Sequence, residues 1–175
     1  MKHLLKALKI IEQTLIWDYF KPRHTHAWNM LVLSWQQLDR SNDVADKGFM
    51  TEYLWENFII RLWLYRTTVK TLEKLSAVEH EATNILNVFD AVFIVDAKNS
   101  LKAIRDMIEH FDDYAAGQGR GPGKRERDLD PWRIISQNRY QRGQFVLERT
   151  TSYEAAIQLR EGASQVSDQF IQRYN

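Results

Sequence analysis

Apolar residues recur at helical spacing along most of this 175-residue chain, and the pattern predicts a mainly α-helical fold. The first helix is expected over residues 2–20, where lysines and a glutamate occupy the positions between the apolar ones. Lys21-Pro22 is expected to end it, because proline lacks a backbone donor and clashes with the preceding turn. A second helix is then predicted from about Thr25 to Leu38.

The longest apolar pattern begins after Gly48 and continues to Leu75. Between residues 49 and 65 it leaves so few polar positions that the helix would be hydrophobic nearly all round. Such a helix must be buried on more than one face, so it is predicted to be central or to meet a second copy of the chain. A fourth helix is expected around residues 85–93.

An amphipathic helix rich in titratable groups is predicted to follow, with Asp96 as its cap or as a bend before it. Its apolar stripe should face the core. The stripe consists of Leu101, Ile104, Ile108, Phe111 and Ala115.

The C-terminal part of the chain begins with four glycines and a proline between Gly117 and Gly123, which predict a loop. Residues 132–136 and 144–148 are β-branched and aromatic and predict a two-stranded hairpin with its turn over 138–143. A last helix is expected from Ser152, as a cap, to Tyr174. We therefore predict one domain over 1–175, with a four- to five-helix bundle (1–117), a glycine-rich basic loop (118–131), a β-hairpin (132–149) and a C-terminal helix (150–175).

The overall composition is balanced, with 24 Lys and Arg against 23 Asp and Glu. The net charge of +1 creates no global basic field for nucleic-acid binding, so any such site must be local. The absence of cysteine and of an apolar leader or membrane-spanning stretch favours a cytoplasmic protein without membrane association. Aromatic residues make up 12% of the chain, a supply of apolar surface for burial in the core of the domain or in a homodimer.

One segment, residues 120–142, is locally basic, with seven positive and three negative side chains. It is interpreted either as a solvated loop or as a surface for RNA, phosphate or an acidic partner. The candidate nucleic-acid-binding residues are Arg120, Lys124, Arg125, Arg127, Arg139 and Arg142.

The candidate chemical site lies on the titratable helix, where Arg105 precedes His110 by five residues. Asp106, four residues before the histidine, and Asp113, three after it, are both spaced to hold the imidazole. A second interpretation is open, in which Arg105 pairs with Glu109 on a solvated face and His110 is an ordinary surface residue.

The run from Arg105 to His110 resembles the Arg-x(4–6)-His signature of the HEPN superfamily, with Asp106 after the arginine. This resemblance implies a helical bundle that dimerises, so that Arg105 and His110 of two copies line one cleft. It also implies a metal-independent ribonuclease or toxin-type protein, with RNA as substrate and an antitoxin-type partner protein. His110 would be the catalytic base or acid, Arg105 would bind the phosphate, and Asp106 would orient the imidazole.

Two alternatives to catalysis are open. Glu109, Asp112 and Asp113 place negative charge beside His110, which favours a non-catalytic helical dimer that binds a partner protein or nucleotide through this face. A purely structural dimer is the other. No cofactor or metal site is expected, because His24 and His26, two residues apart, would point away from each other on a helix and are taken as solvated turn residues.

Overall fold

The computed structural model describes residues 2–40, 47–110 and 134–174, and within these ranges the chain is mainly helical, as the apolar pattern predicts. Buried side chains from every described helix and from the C-terminal sheet form one hydrophobic core. The helices are α1 (Lys2–Asp39), α2 (Lys47–Val69), α3 (Glu79–Ala91), α4 (Ser100–Glu109) and α5 (Arg149–Tyr174). A 3-10 turn (Lys70–Lys74) follows α2, and the strands are β1 (Ile94–Val95), β2 (Lys98–Asn99), β3 (Ile134–Ile135), β4 (Arg139–Arg142) and β5 (Phe145–Glu148).

Helix α1 passes through Pro22 without a break, so the prediction of two separate helices here is wrong. An interior proline costs a helix about 3 kcal/mol, and tertiary packing on both sides of it offsets this cost. The Phe20 and His24 rings lie 5.0 Å apart across the proline, and Trp28 packs at 5.3 Å from Tyr65 of α2. Apolar burial on α2 therefore overrides the local helix-breaking signal.

Helix α2 occupies the centre of the fold, as its nearly continuous apolar pattern predicts. It runs antiparallel to α1, because Gln13 contacts the backbone of Lys74 while His24 contacts Tyr65. The fully buried side chains of α2 fall on one stripe about 120° wide and are Trp55, Phe58, Ile59, Leu62, Tyr65 and Val69. Tyr53 and Leu64, on the opposite side of the helix, are exposed, so the expectation that the helix is buried nearly all round is wrong. Among the helices that the structure describes, none is long and apolar enough to cross a membrane.

Helices α3 and α5 pack closely against each other, and a glycine makes the close approach feasible. A Cβ atom at Gly162 of α5 would lie 2.9 Å from a methyl carbon of Ile85 on α3. Helix α3 is also tied to α2 by Arg66, which donates from Nε to the Asp90 carboxylate at 2.9 Å and pairs with it through a second nitrogen. This bidentate pair is well shielded from water.

The C-terminal sheet has three antiparallel strands in the order β3-β4-β5, and the predicted two-stranded hairpin is wrong in its pairing. Residues 138–143, expected as the turn, contain the central strand β4, which pairs with both neighbours. The β4-β5 turn instead uses Gly143, whose φ of 56° suits glycine. Tyr140 of β4 is fully buried, and the indole of Trp55 donates to the Ser136 backbone at 2.7 Å, so the sheet covers one side of α2.

Helix α5 begins at Arg149, directly after β5, and not at Ser152 as predicted. Ser152 is buried within the first turns and is therefore no cap. The start is fixed by Arg149, whose backbone N–H donates to Asn138 at 2.9 Å and whose side chain pairs with Asp39 of α1.

Arg142 of β4 anchors the sheet to α2. Its side chain is 8% exposed, its Nε donates to the Tyr140 hydroxyl at 3.0 Å, and its guanidinium lies 3.4 Å from Glu52 and 3.6 Å from Glu56. Arg139 on the same strand is 44% exposed and pairs with Glu148 of β5 at 3.2 Å. The two arginines therefore differ in burial although they are only three residues apart.

We expect Arg142→Ala to lower the free energy of unfolding by about 2–4 kcal/mol, because a buried cation facing two carboxylates is removed. Arg139→Ala, the matched control on the same strand, should cost less than about 1 kcal/mol, since exposed ion pairs contribute little. Chemical denaturation of both variants measures the difference. Equal losses would show that Arg142 does not anchor the sheet.

Candidate functional site

The start of α4, which carries the candidate chemical site, is fixed by a tight hairpin and a cap. Asp96 and Ala97 form the β1-β2 turn with φ values of 47° and 62°, so Asp96 is the expected bend and not the cap. The cap is Asn99, whose side chain accepts from the Lys102 N–H at 2.9 Å. Leu101 and Ile104 are fully buried, as the predicted apolar stripe requires.

Helix α4 ends at Glu109, and the expected last turns beyond residue 110 lie outside the described residues. His110 is the residue after the last helical turn, with a φ of −118°, and its N–H donates to the Asp106 carbonyl at 3.0 Å. Its side chain is exposed. No described residue makes a hydrogen bond to the imidazole of His110, and Asp113, one of its two predicted partners, lies outside the described residues.

Arg105 is held tightly by its own helix and by α2. Its guanidinium lies 3.0 Å from the Asp106 carboxylate, pairs with Glu109, and sits over the Trp63 ring at 4.5 Å. The side chain is 16% exposed, and its Nε is buried without a hydrogen-bond partner. The Arg105–Glu109 pair expected in the second interpretation is therefore present. The carboxylate of Asp106 contacts Arg105 and not, as predicted, the imidazole of His110.

The predicted nucleic-acid-binding residues do not form one described surface. Arg142 is buried against α2, and Arg139 pairs with Glu148 and Gln141 at the sheet surface. The remaining four candidates lie outside the described residues and are Arg120, Lys124, Arg125 and Arg127. Arg142 is therefore engaged in the fold, whereas Arg139 stays accessible.

His24 is not a solvated turn residue, as the sequence had indicated, but part of an aromatic contact between α1 and α2. Its Nε2 lies 2.8 Å from the Tyr65 hydroxyl, and its ring packs between Phe20 and Tyr65. Burial, assisted by the positive charge of Arg160, lowers the pKa of His24 from 6.5 to about 4. The signal available in the sequence was the i,i+4 spacing of Phe20, His24 and Trp28.

The described residues contain no group of three or more His, Cys, Asp or Glu side chains placed to hold a metal ion. Comparison with protein-family models, with curated proteins and with solved structures gives no match to this chain.

We expect the stability of the protein to fall as the pH drops from 6.5 towards 4 because of His24. In the unfolded chain this histidine takes up a proton near pH 6.5, whereas in the folded protein it stays neutral down to about pH 4. Stability is therefore complete above pH 6.5 and is lost below it. After allowance for solvent screening of a half-buried ring, the contribution is about 1–2 kcal/mol.

The measurement is the free energy of unfolding of wild type and His24→Gln at pH 7 and pH 4.5. Glutamine can still form a hydrogen bond to the Tyr65 hydroxyl but does not titrate. The drop in the free energy of unfolding between pH 7 and pH 4.5 should therefore be smaller in His24→Gln than in the wild type. His80→Gln, which removes an exposed histidine from α3, should show the same drop in the free energy of unfolding as the wild type. An unchanged pH dependence in His24→Gln would contradict this role.

Proposed function

We propose that this chain is an HEPN-like protein that cleaves RNA without a metal ion, at a site shared by two copies. The observation that supports the proposal is that α4 carries a guanidinium held in position and that an exposed imidazole follows at the end of the same helix. Arg105 is fixed by Trp63 and two carboxylates, and His110 follows at the exposed helix end. Fixed cations and accessible bases are what a phosphoryl-transfer site requires.

The reaction needs one proton acceptor and one proton donor. The imidazole of His110 from one copy would take the proton of the ribose 2′-hydroxyl, so that the 2′-oxygen forms a bond to phosphorus. The bond from phosphorus to the 5′-oxygen would break, and His110 of the second copy would protonate that oxygen. The products would be a 2′,3′-cyclic phosphate and a free 5′-hydroxyl, while Arg105 would stabilise the charge on the phosphorus oxygens.

A second function is favoured by the carboxylates around Arg105. Glu109 and Asp106 already satisfy much of the guanidinium, and their charge opposes the approach of a phosphate. The same face would then bind a partner protein or a nucleotide without catalysis. The two functions differ in the effect of removing the Glu109 charge. Only if Arg105 binds a phosphate should the activity rise when its guanidinium is freed from Glu109.

Incubation of the purified chain with single-stranded RNA in EDTA tests the proposal. We expect cleavage that falls by about a hundredfold or more in His110→Ala, because general acid–base catalysis contributes factors of this size. His80→Ala is the matched control, since it removes an exposed histidine of α3 and should leave the rate unchanged. Glu109→Gln should speed cleavage by freeing Arg105, and the 2′,3′-cyclic end identifies the mechanism.

Intact RNA after incubation with a protein shown to be folded by its thermal transition rules out the ribonuclease. Cleavage that His110→Ala does not slow would have the same meaning, since the activity would come from elsewhere. RNA that is bound but not cleaved, with binding lost in Arg105→Ala, would instead establish the non-catalytic function. Sedimentation should show the mass of a dimer, and a monomer that cleaves RNA would contradict the shared site.

A further inference from the structure

A basic groove lies between α1 and α2 on the side of α2 that faces away from α4. Arg61, which lines the groove, and Trp63, which contacts Arg105 of α4, are two residues apart and so point about 200° apart around the helix. The groove has a volume of about 250 Å³. It is lined by two arginines and a histidine together with apolar side chains. They include Arg23, His26, Arg61, Met30 and Leu64.

The walls of this groove carry no acidic residue. The segment 19–38 of α1 and the segment 57–72, which spans the end of α2 and the start of the 3-10 turn, contain no Asp or Glu, although 23 such residues occur in the chain. Within the described part of the chain, neither Arg23 nor Arg61 forms an ion pair. This differs from the surroundings of Arg105, where two carboxylates neutralise the cation.

Two different features of the groove arginines favour the binding of an anion. The guanidinium of Arg23 stacks on the Tyr19 ring at 3.9 Å, which limits its freedom. The Nε of Arg61 is buried and has no hydrogen-bond partner in the structure. A buried donor on a charged group costs free energy when it is left unpaired, and an incoming oxyanion would remove that cost.

We propose that this groove binds the phosphate group of a small organic phosphate, with the apolar part of the ligand against Met30 and Leu64. Guanidinium groups donate paired hydrogen bonds that match phosphate oxygens, and His26 adds a third donor at the exposed edge. The volume lies just below the range of about 300–1,000 Å³ that drug-sized ligands occupy, so the ligand is small. This site does not depend on the proposed function, because it lies on the other side of α2.

NMR titration of the full chain with phenyl phosphate tests the proposal. We expect saturable shifts of the backbone amides in residues 23–30 and 61–68, with weaker binding of inorganic phosphate, which lacks the apolar part. Arg61→Gln should raise the Kd by about tenfold or more, as expected for the loss of a charge-assisted hydrogen bond. Arg40→Gln, which removes an exposed positive charge at the end of α1, should change the Kd less than about twofold.

A thermal shift separates binding from folding. Phenyl phosphate should raise the Tm of the wild type and of Arg40→Gln but not of Arg61→Gln. Without ligand, Arg61→Gln should be at least as stable as the wild type, because an unpaired cation is removed from a half-buried position. If that variant does not fold, Arg23→Gln takes its place in the titration.

Three results would overturn the proposal. The first is the absence of saturable binding at about 10 mM phenyl phosphate, a concentration that reveals even weak complexes. The second is an equal loss of affinity in Arg61→Gln and Arg40→Gln, which would indicate non-specific charge attraction. The third is binding of poly(U) without binding of phenyl phosphate, which would assign the groove to a nucleic-acid backbone.

Discussion

The constraint on which the fold depends is that α2 must bury one wide apolar face along most of its length. The fully buried residues of this face run from Trp55 to Val69, and different elements cover different parts of it. Helix α1 covers one side through Trp28 and His24, α4 contacts it at Trp63, and the sheet covers Trp55. Because buried apolar area dominates folding, these contacts stabilise the arrangement more than any single ion pair does.

The same constraint explains which parts of the fold could be predicted from sequence. The helical class and the central place of α2 follow from periodicity, because both are set by how much apolar surface must be buried. The break at Pro22 could not be judged locally, since its cost is repaid by rings on a helix far along the chain. Strand β4 was missed because its buried residues, Tyr140 and Arg142, alternate with polar ones in a segment that resembles a turn.

Some contacts around the candidate site could be predicted from the sequence. The titratable helix and the Arg105–Glu109 pair lie within one helix, where spacing alone fixes the contacts. The groove beside Arg61 and the burial of His24 require two helices in register, and sequence spacing does not report that register. A count of acidic residues would have found the acid-free segments 19–38 and 57–72, but only the structure brings them together.

The two faces of α2 therefore differ in their electrostatics. Towards α4, the cation of Arg105 is neutralised by neighbouring acids, and His110 is exposed at that helix end beside Glu109. Towards the groove, Arg61 forms no ion pair with any described residue, and its Nε is buried without a hydrogen-bond partner. A cation without a carboxylate attracts anions more strongly than one in an ion pair, so the two faces have different binding preferences.

Native-state hydrogen exchange tests the central place of α2 most directly. Amides between Phe58 and Tyr65, in the turns of α2 that place four fully buried side chains in the core, should exchange only through global unfolding, with a protection free energy equal to that from chemical denaturation. Amides of α1 near Ile10 and Ile11, whose side chains are exposed, should exchange at lower free energy. Exchange of 58–65 through a local opening, at a free energy below that of α3 or α5, would contradict the account of α2 as the helix that the other elements cover.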